Sequence, residues 1–488
     1  MSPSSPDALY HPIPQTPVAS LPILSSDDPD IDLDDEQERD TALRPPPIVD
    51  SRIRWINFIL GCAVLLPWNA LITATPYFLS RLSDSPLKST FNSYLSTTFT
   101  AANFIFLARA TATSKQLSPS RVTTVSLLAL AGLNLLLTLS TTIALSPGLF
   151  FAFVILNGIA QASFGSYLQN SIMAVASLFG HTAVQPLLSG QAAVAVAVST
   201  VQVLSATAAV GRETSRNEDS PPDDGKAEER SAFIFFGLST LFLLFSAVAQ
   251  WYLVSMPEYQ QVAGSLEPGK RIGRDHGTAD ENRALVSSGR ASDERARIWE
   301  VAKKNVSFEI SVAYVFVVTL AVFPPITATI QPTSPNVHPL LFTSIHFLMF
   351  GLGDFVGRSL CSIPKLLIWS SRKLLTMSLA RTAFIVLFLL CNVQRPSSSP
   401  IPVAPIISSD FLFMFILFAF GVSNGYVSTM ALISASSLEH NHRLKGRVEL
   451  VDVAATVSQF CLVGGLVLGS IASFPVRGAV CACNPFTN

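Results

Sequence analysis

Two oppositely charged residues lie four positions apart inside an apolar stretch of the sequence. Asp354 and Arg358 occur in the run GLGDFVGR over 351–358. Side chains four residues apart project from the same face of a helix, so these two can form an ion pair. Charges in an apolar segment are costly and commonly mark a functional site. The pair could bind a polar ligand in a watery cavity. Alternatively it could brace neighbouring helices, or Arg358 could extend its guanidinium to an aqueous surface.

Neutral polar side chains interrupt other apolar stretches. Trp68 and Asn69 follow Pro67, which leaves one carbonyl of its helix without a donor, and we expect Asn69 to bind that carbonyl. Trp68 could stack on an aromatic ligand or simply pack. Further amides interrupt later stretches: Gln169, Gln191 and Asn424. Amides can bind the edge of a polar heterocycle, or they can join neighbouring helices. Together with several glycines, they predict a polar cavity between closely packed helices.

Three more charged residues occur at the margins of apolar stretches. Arg381 lies two turns inside its stretch, and we expect its long side chain to reach the membrane surface. Glu309 and Asp452 begin their stretches, and we expect both at the interface with water.

Signals for catalysis are weak in the sequence. It lacks the metal-binding motif His-Glu-x-x-His and a phosphate-binding Gly-Lys-Ser/Thr loop, and GVSNG over 421–425, which fits the nucleophile pattern Gly-x-Ser-x-Gly, lies inside an apolar run. Seven histidines and six scattered cysteines show no convincing ligand spacing. We therefore expect no catalytic residue, no metal and no cofactor, and the protein is not predicted to be an enzyme.

These polar residues lie in or beside long apolar runs, and the helices that the runs form would position them. A helix needs about 20 mostly apolar residues to cross a bilayer, and the sequence contains eleven such runs, near 55–79, 91–110, 122–145, 149–178, 183–210, 231–255, 308–330, 340–362, 374–392, 411–437 and 450–474. The runs are too long for strands and do not alternate. The sequence therefore predicts an all-α membrane protein with about 11 transmembrane helices.

Composition supports this fold class. Of the 488 residues, 13% are charged and 49% are hydrophobic, and the mean hydropathy is +0.44. Soluble domains average about 25% charged residues, so a soluble enzyme of this size is disfavoured. The formal net charge of −1 offers no basic surface for nucleic acid.

Polar segments divide the chain into predicted units. Residues 1–50 are acidic and rich in proline, and we expect a disordered tail. Lys and Arg favour the side of the membrane that holds the N-terminus, which predicts a cytoplasmic N-terminus and a C-terminus on the opposite side. The predicted units are a tail (1–50), a six-helix bundle (51–255), a cytoplasmic linker (256–307), a five-helix bundle (308–474) and a short non-cytoplasmic tail (475–488).

The ordered set of motifs resembles equilibrative nucleoside transporters, a family of solute carriers. The resemblance covers roughly residues 55–474, including a long segment after the sixth run. It is carried by LLPWNALITA over 65–74, GSYLQNS over 165–171, LFG over 178–180, SGQ over 189–191, VFVVTLAVFP over 315–324, GDFVGRSL over 353–360 and NGY over 424–426.

The resemblance implies six helices against five in a major-facilitator-like bundle, and passive exchange of nucleosides by alternating access. It further implies a monomer in a lipid bilayer, either the plasma membrane or a vacuolar or other internal membrane. Position by position, it places Leu65, Trp68, Ile72 and Gln169 around the base. It places Asp354 and Arg358 at the ribose, and it assigns structural or gating roles to Asn69, Gly190, Gln191 and Asn424.

Two positions depart from the family pattern. Gly351 stands where many members carry asparagine, and Ala195 stands where glycine is common. The first departure suggests an altered pocket or sugar preference. Transport of another polar solute, such as a nucleobase or sugar, with or without protons, therefore remains an alternative. A non-transporting membrane protein is a weaker alternative.

Overall fold

The computed structural model describes residues 49–481 apart from 84, 89, 144, 216–225, 268–294, 335–336 and 394–404. This part of the chain is helical, and its extended pairing is limited to an isolated bridge between Ile330 and Val393. The N-terminal helices are α1 (Ser51–Thr73), α2 (Thr75–Arg81), α3 (Phe91–Ala112), α4 (Pro119–Ser140), α5 (Pro147–Leu178), α6 (His181–Ser215), α7 (Lys226–Ser255) and α8 (Pro257–Val262). The C-terminal helices are α9 (295–304), α10 (Val306–Val322), α11 (Pro339–Leu360), α12 (Ser371–Ala380), α13 (Ala383–Leu389), α14 (Asp410–Ala435) and α15 (Val451–Cys481).

Nine helical segments in the described chain are long and apolar enough to cross a membrane. The predicted run 91–110 forms α3, whose asparagine and threonine residues make it too polar to meet that criterion. The predicted run 374–392 is divided into α12 and α13 around Arg381 and Thr382. The all-helical membrane fold is confirmed, whereas the count of eleven spans stays a prediction.

The predicted boundaries between units differ from the helices at two places. The segment 256–307 contains α8 and α9, and its central part, 268–294, lies outside the described residues. The short tail predicted from residue 475 begins as helix, because α15 continues through Pro475 to Cys481. Membrane helices tolerate proline where neighbouring groups satisfy the freed carbonyl. The acidic tail lies outside the described residues except for Val49 and Asp50.

Local signals in the sequence determine where helices begin and where the chain turns between two helices. The carboxylate of Asp50 accepts a hydrogen bond from the backbone N–H of Arg52 at 2.8 Å, which caps α1. Helices α4, α5 and α11 begin with proline, whose missing N–H costs nothing in the first turn. Gly180 has φ of +79° between α5 and α6, a conformation that favours glycine in so short a connection.

Glycines bring three helix pairs into backbone contact. A Cβ atom added at Gly353 or Gly425 would overlap backbone carbonyl oxygens across the contact of α11 with α14. Gly61 and Gly190 allow the same close approach between α1 and α6, and Gly465 allows it between α10 and α15. Small residues at such positions allow membrane helices to pack closely. The candidate site lies beside two of these contacts.

The two ends of the bundle can be told apart by the elements that meet there. A cavity of about 420 Å³ is lined by the segment before α1, the junction of α5 with α6, and the starts of α8 and α15. We call this end the linker end, and we call the opposite one, where α1 stops and α11 starts, the distal end. At the linker end Lys115 forms an ion pair with Asp452 and donates to the carbonyl of Glu449 at 3.3 Å. The Trp369 ring stacks on His440 at 3.7 Å.

Candidate functional site

Asp354 and Arg358 lie in the interior, each with 7% of its surface exposed. The Arg358 Nε atom donates to Asp354 Oδ2 at 2.9 Å, which gives the predicted pair on one face of α11. The Asn424 amide of α14 donates to the other carboxylate oxygen at 2.6 Å. The structure therefore brings together three predicted site residues, and both oxygens of Asp354 have a donor.

Arg358 also connects the C-terminal helices to the N-terminal ones. Its Nη1 atom donates to the carbonyl of Leu188 in α6 at 3.1 Å. The amide of Gln185, also in α6, donates to the carbonyl of Arg358 at 3.0 Å and to Ser189 Oγ at 2.8 Å. The pair thus lies where α6, α11 and α14 meet, and movement of α6 relative to α11 would break these bonds.

Arg381 is a residue of this site whose surroundings the sequence interpretation predicted incorrectly. The expectation that it reaches the membrane surface is wrong, because only 1% of its surface is exposed. It donates to the carbonyl of Phe420 at 3.1 Å and to Thr319 Oγ1 at 2.8 Å, and its guanidinium lies 4.5 Å from the centre of the Phe420 ring. Its position two turns inside an apolar run was the available signal.

Asn424 joins Arg381 to the ion pair. Its Oδ1 atom lies 2.7 Å from Thr319 Oγ1 and 3.5 Å from Arg381 Nη2, while its Nδ2 atom binds Asp354. One buried network therefore contains two guanidinium groups and one carboxylate. Such a network favours ligands that present electron-rich oxygen atoms.

Glu309 and Asp452 are also more buried than expected. They retain 6% and 4% of their surfaces, so protein covers both, and their position at the membrane interface stays a prediction. Glu309 accepts a hydrogen bond from Ser458 at 2.9 Å, and Asp452 pairs with Lys115. Both residues begin a span, but the adjacent segments cover them.

The predicted base-site residues on α1 project at helical spacing along one face. Leu65 and Trp68 are partly buried, while Ile72 is 41% exposed and lines a cavity at the distal end. The Trp68 ring packs on Phe99 of α3 with ring centres 4.2 Å apart at 31°. One face of Trp68 is therefore covered by protein.

The remaining predicted residues have different surroundings. Asn69 donates to the carbonyl of Leu65 at 2.8 Å, so the expectation that it binds the carbonyl freed by Pro67, which is that of Ala63, is wrong. Gln169 is 8% exposed, and no hydrogen bond of its side chain is formed within the described chain. Gly190 supports the contact of α6 with α1, as described above.

The two departures from the family pattern are neighbours in space. A Cβ atom on Gly351 would lie 3.8 Å from the backbone carbon of Ala195 and from Val196. A larger residue at 351 would therefore extend from α11 towards the backbone of α6 at Ala195 and Val196.

A cavity of about 710 Å³ opens at the distal end between the two sets of helices. Ile72, Gln202 and Phe235 line it from the N-terminal helices, and Thr343 and Phe347 line it from α11. A space of this size between helices can hold a small polar solute. The fold and these features define the class: a multi-pass membrane transporter with a major-facilitator-like fold.

Comparisons with known proteins agree with that class. A crystal structure of the E. coli fucose:proton symporter FucP (N162A) superposes with a TM-score of 0.51 at 14% identity, and one of the major facilitator superfamily transporter FucP in the outward conformation superposes with 0.50 at 14% identity. The superposition covers 88% of this chain and 92% of theirs. At this identity the likeness concerns the fold alone.

The chain belongs to the nucleoside transporter family, whose model matches residues 155–478. The human protein named equilibrative nucleoside transporter 2 is 29% identical over 470 residues, 86% of this chain and 95% of that protein. Rat equilibrative nucleoside transporter 1 is 25% identical over 468 residues, 87% of this chain and 96% of that protein. The family predicted from the sequence is confirmed.

Proposed function

We propose that this protein carries nucleosides across a membrane by facilitated diffusion and alternating access. The names of its relatives support nucleosides as the substrate class. The observation that carries the proposal is the buried network of Asp354, Arg358 and Asn424 where α6, α11 and α14 meet. A ribose has hydroxyl groups that both donate and accept, so a carboxylate and a guanidinium on adjacent turns can bind it together.

The base is assigned to the region between α1 and α5. Leu65 and Ile72 supply apolar surface, and Trp68 supplies the ring face that Phe99 leaves free. Gln169 has an amide without a hydrogen-bond partner in the described chain, so it can bind the polar edge of a base at no cost to existing contacts. Asn69, Gly190, Gln191 and Asn424 are assigned to helix support and gating.

Alternating access is assigned to relative movement of two bundles, 51–255 and 308–474, joined by the segment 256–307. Contacts between N-terminal and C-terminal helices at the linker end include the pair Lys115–Asp452 and the bond from Arg358 to Leu188. The distal end holds the cavity of about 710 Å³. This arrangement corresponds to a carrier open at its distal end. The linker end is assigned to the cytoplasm.

Proton-coupled transport of a nucleobase or sugar is a second candidate, favoured by Glu309. The Oε2 atom of this buried carboxyl has no hydrogen-bond partner within the described chain. Ser458 donates to the other oxygen, but no cationic side chain pairs with Glu309 within the described chain. A buried carboxylate without a cationic partner is costly, so this group is a candidate site for a proton.

Uptake into proteoliposomes separates the two candidates. Labelled uridine and adenosine would be offered with and without an imposed pH gradient, and adenine and glucose would serve as unlabelled competitors. Facilitated diffusion predicts nucleoside uptake that reaches equilibrium without a gradient and is insensitive to glucose. Uptake that requires a proton gradient, with competition by adenine or glucose but not by nucleosides, would favour the second candidate.

A further inference from the structure

Gln459 of α15 is a buried amide that the proposed site does not use. Only 1% of its surface is exposed, and neither its Nε2 nor its Oε1 atom has a hydrogen-bond partner within the described chain. An amide offers two donors and two acceptor lone pairs, and a buried amide that leaves them unused is unfavourable. The amide of Gln459 therefore needs a hydrogen-bond partner that the described chain does not supply in this conformation.

The face of α15 that carries Gln459 is turned towards the N-terminal helices. Asp452, Thr456 and Gln459 recur at spacings of four and three residues, so they share one face. Asp452 pairs with Lys115, from the connection between α3 and α4. Phe460, next to Gln459, stacks on Phe104 of α3 with ring centres 5.2 Å apart. Separation of the two sets of helices at the linker end would therefore uncover this face.

Thr456 differs from Gln459 in one respect. It is equally buried, at 1%, but its hydroxyl donates to the carbonyl of Val453 at 3.1 Å. The two residues share a face and a degree of burial, and Gln459 is the one with unused hydrogen-bonding groups. Seven residues of helix place Gln459 about 10 Å beyond Asp452 along α15, well inside the span rather than at its mouth.

We propose that Gln459 is a substrate contact of the state that opens at the linker end. In that state its amide binds the polar edge of the nucleoside base, a group that presents donors and acceptors side by side. The carrier then has a linker-side contact on α15 in addition to Gln169 on α5. This inference rests on the proposed function, because it names a further contact for the same substrate.

The test compares affinity for uridine from the two sides of oriented proteoliposomes. An N-terminal tag reports which side is the linker end, since α1 begins there. Gln459→Met keeps the length of the side chain but removes its donors and acceptors. We expect the ratio of linker-side to distal-side half-saturating concentration to rise about 3- to 10-fold, the loss expected for one hydrogen-bonding group. The matched control Thr456→Val should leave that ratio unchanged.

Several other results would overturn either this inference or the proposed function. An unchanged ratio in a folded Gln459→Met protein, with or without a gain in thermal stability, would make Gln459 a purely structural residue and overturn the inference. An equal loss on both sides would overturn it as well. If Gln459→Met does not fold, Gln459→Asn shortens the amide by one carbon and must still raise the ratio. Absence of uridine flux in the unmodified protein would instead refute the proposed function.

Discussion

Asp354 and Arg358 are the side chains on which the proposed mechanism depends most. Removing one partner of a buried ion pair costs about 3–5 kcal/mol, because the other charge is left uncompensated. We therefore expect Asp354→Asn to lower both thermal stability and uridine transport strongly. The double variant Asp354→Asn with Arg358→Gln removes both charges and should recover most of the lost stability.

Transport by the double variant distinguishes binding from bracing. If the pair binds ribose, the double variant should fold and still fail to carry uridine. Thermal melts and uridine flux would be measured on the single and double variants together. Recovery of flux along with stability would show that the pair only braces the helices.

Gln169 permits a milder test at the scale of one residue. Its amide has no protein partner in the described chain, so Gln169→Ala removes no existing hydrogen bond and should leave the fold intact. A hydrogen bond to the base contributes about 0.5–1.5 kcal/mol net, which corresponds to a few-fold to about tenfold weaker binding. Binding of uridine to purified protein would measure this. A variant that loses stability but binds normally would assign Gln169 to helix packing.

At the scale of elements, the contact of α11 with α14 holds the network together. A methyl group at Gly425 would overlap the carbonyl oxygen of Asp354. We expect Gly425→Ala to lower the free energy of unfolding by about 1–3 kcal/mol, the usual cost of overpacking, and to impair transport. Gly132 of α4 is a matched control, because nothing lies within 4 Å of a Cβ atom placed there. Equal thermal stability of both variants would argue against this close contact.

Helix α9 is tied to the segment before α15 by one carboxylate. Hydrogen bonds from Lys304 and Arg447 lower the pKa of Glu300 from 4.5 to about 2. A lowered pKa in the folded state means that the stabilisation is present above the unfolded pKa and is lost as the pH falls towards 2. The difference in melting temperature between the unmodified protein and Glu300→Gln should be largest near pH 6 and shrink below pH 4.5. A difference that grows on acidification would contradict this assignment.

At the scale of the whole molecule, the sequence predicted the membrane fold and the family, because long apolar runs and ordered motifs are local signals. It could not predict the surroundings of Arg381, whose partner Thr319 is 62 residues away in sequence and becomes a neighbour only through packing. It also treated Gly351 and Ala195 as separate departures, although Gly351 of α11 lies beside the backbone of Ala195 in α6. Partners of buried polar groups depend on tertiary contacts, which a single sequence does not contain.

Carriage of nucleosides by alternating access is the central claim, and counterflow of uridine tests it most directly. Proteoliposomes would be loaded with excess unlabelled uridine and placed in tracer uridine without any ion gradient. A carrier that exposes one site alternately to each side carries unlabelled uridine out and returns with bound tracer. We therefore predict transient accumulation of tracer inside the vesicles above its equilibrium level. Loading with glucose should give none. Tracer uridine that never exceeds equilibrium, or that accumulates equally in glucose-loaded vesicles, would contradict the account.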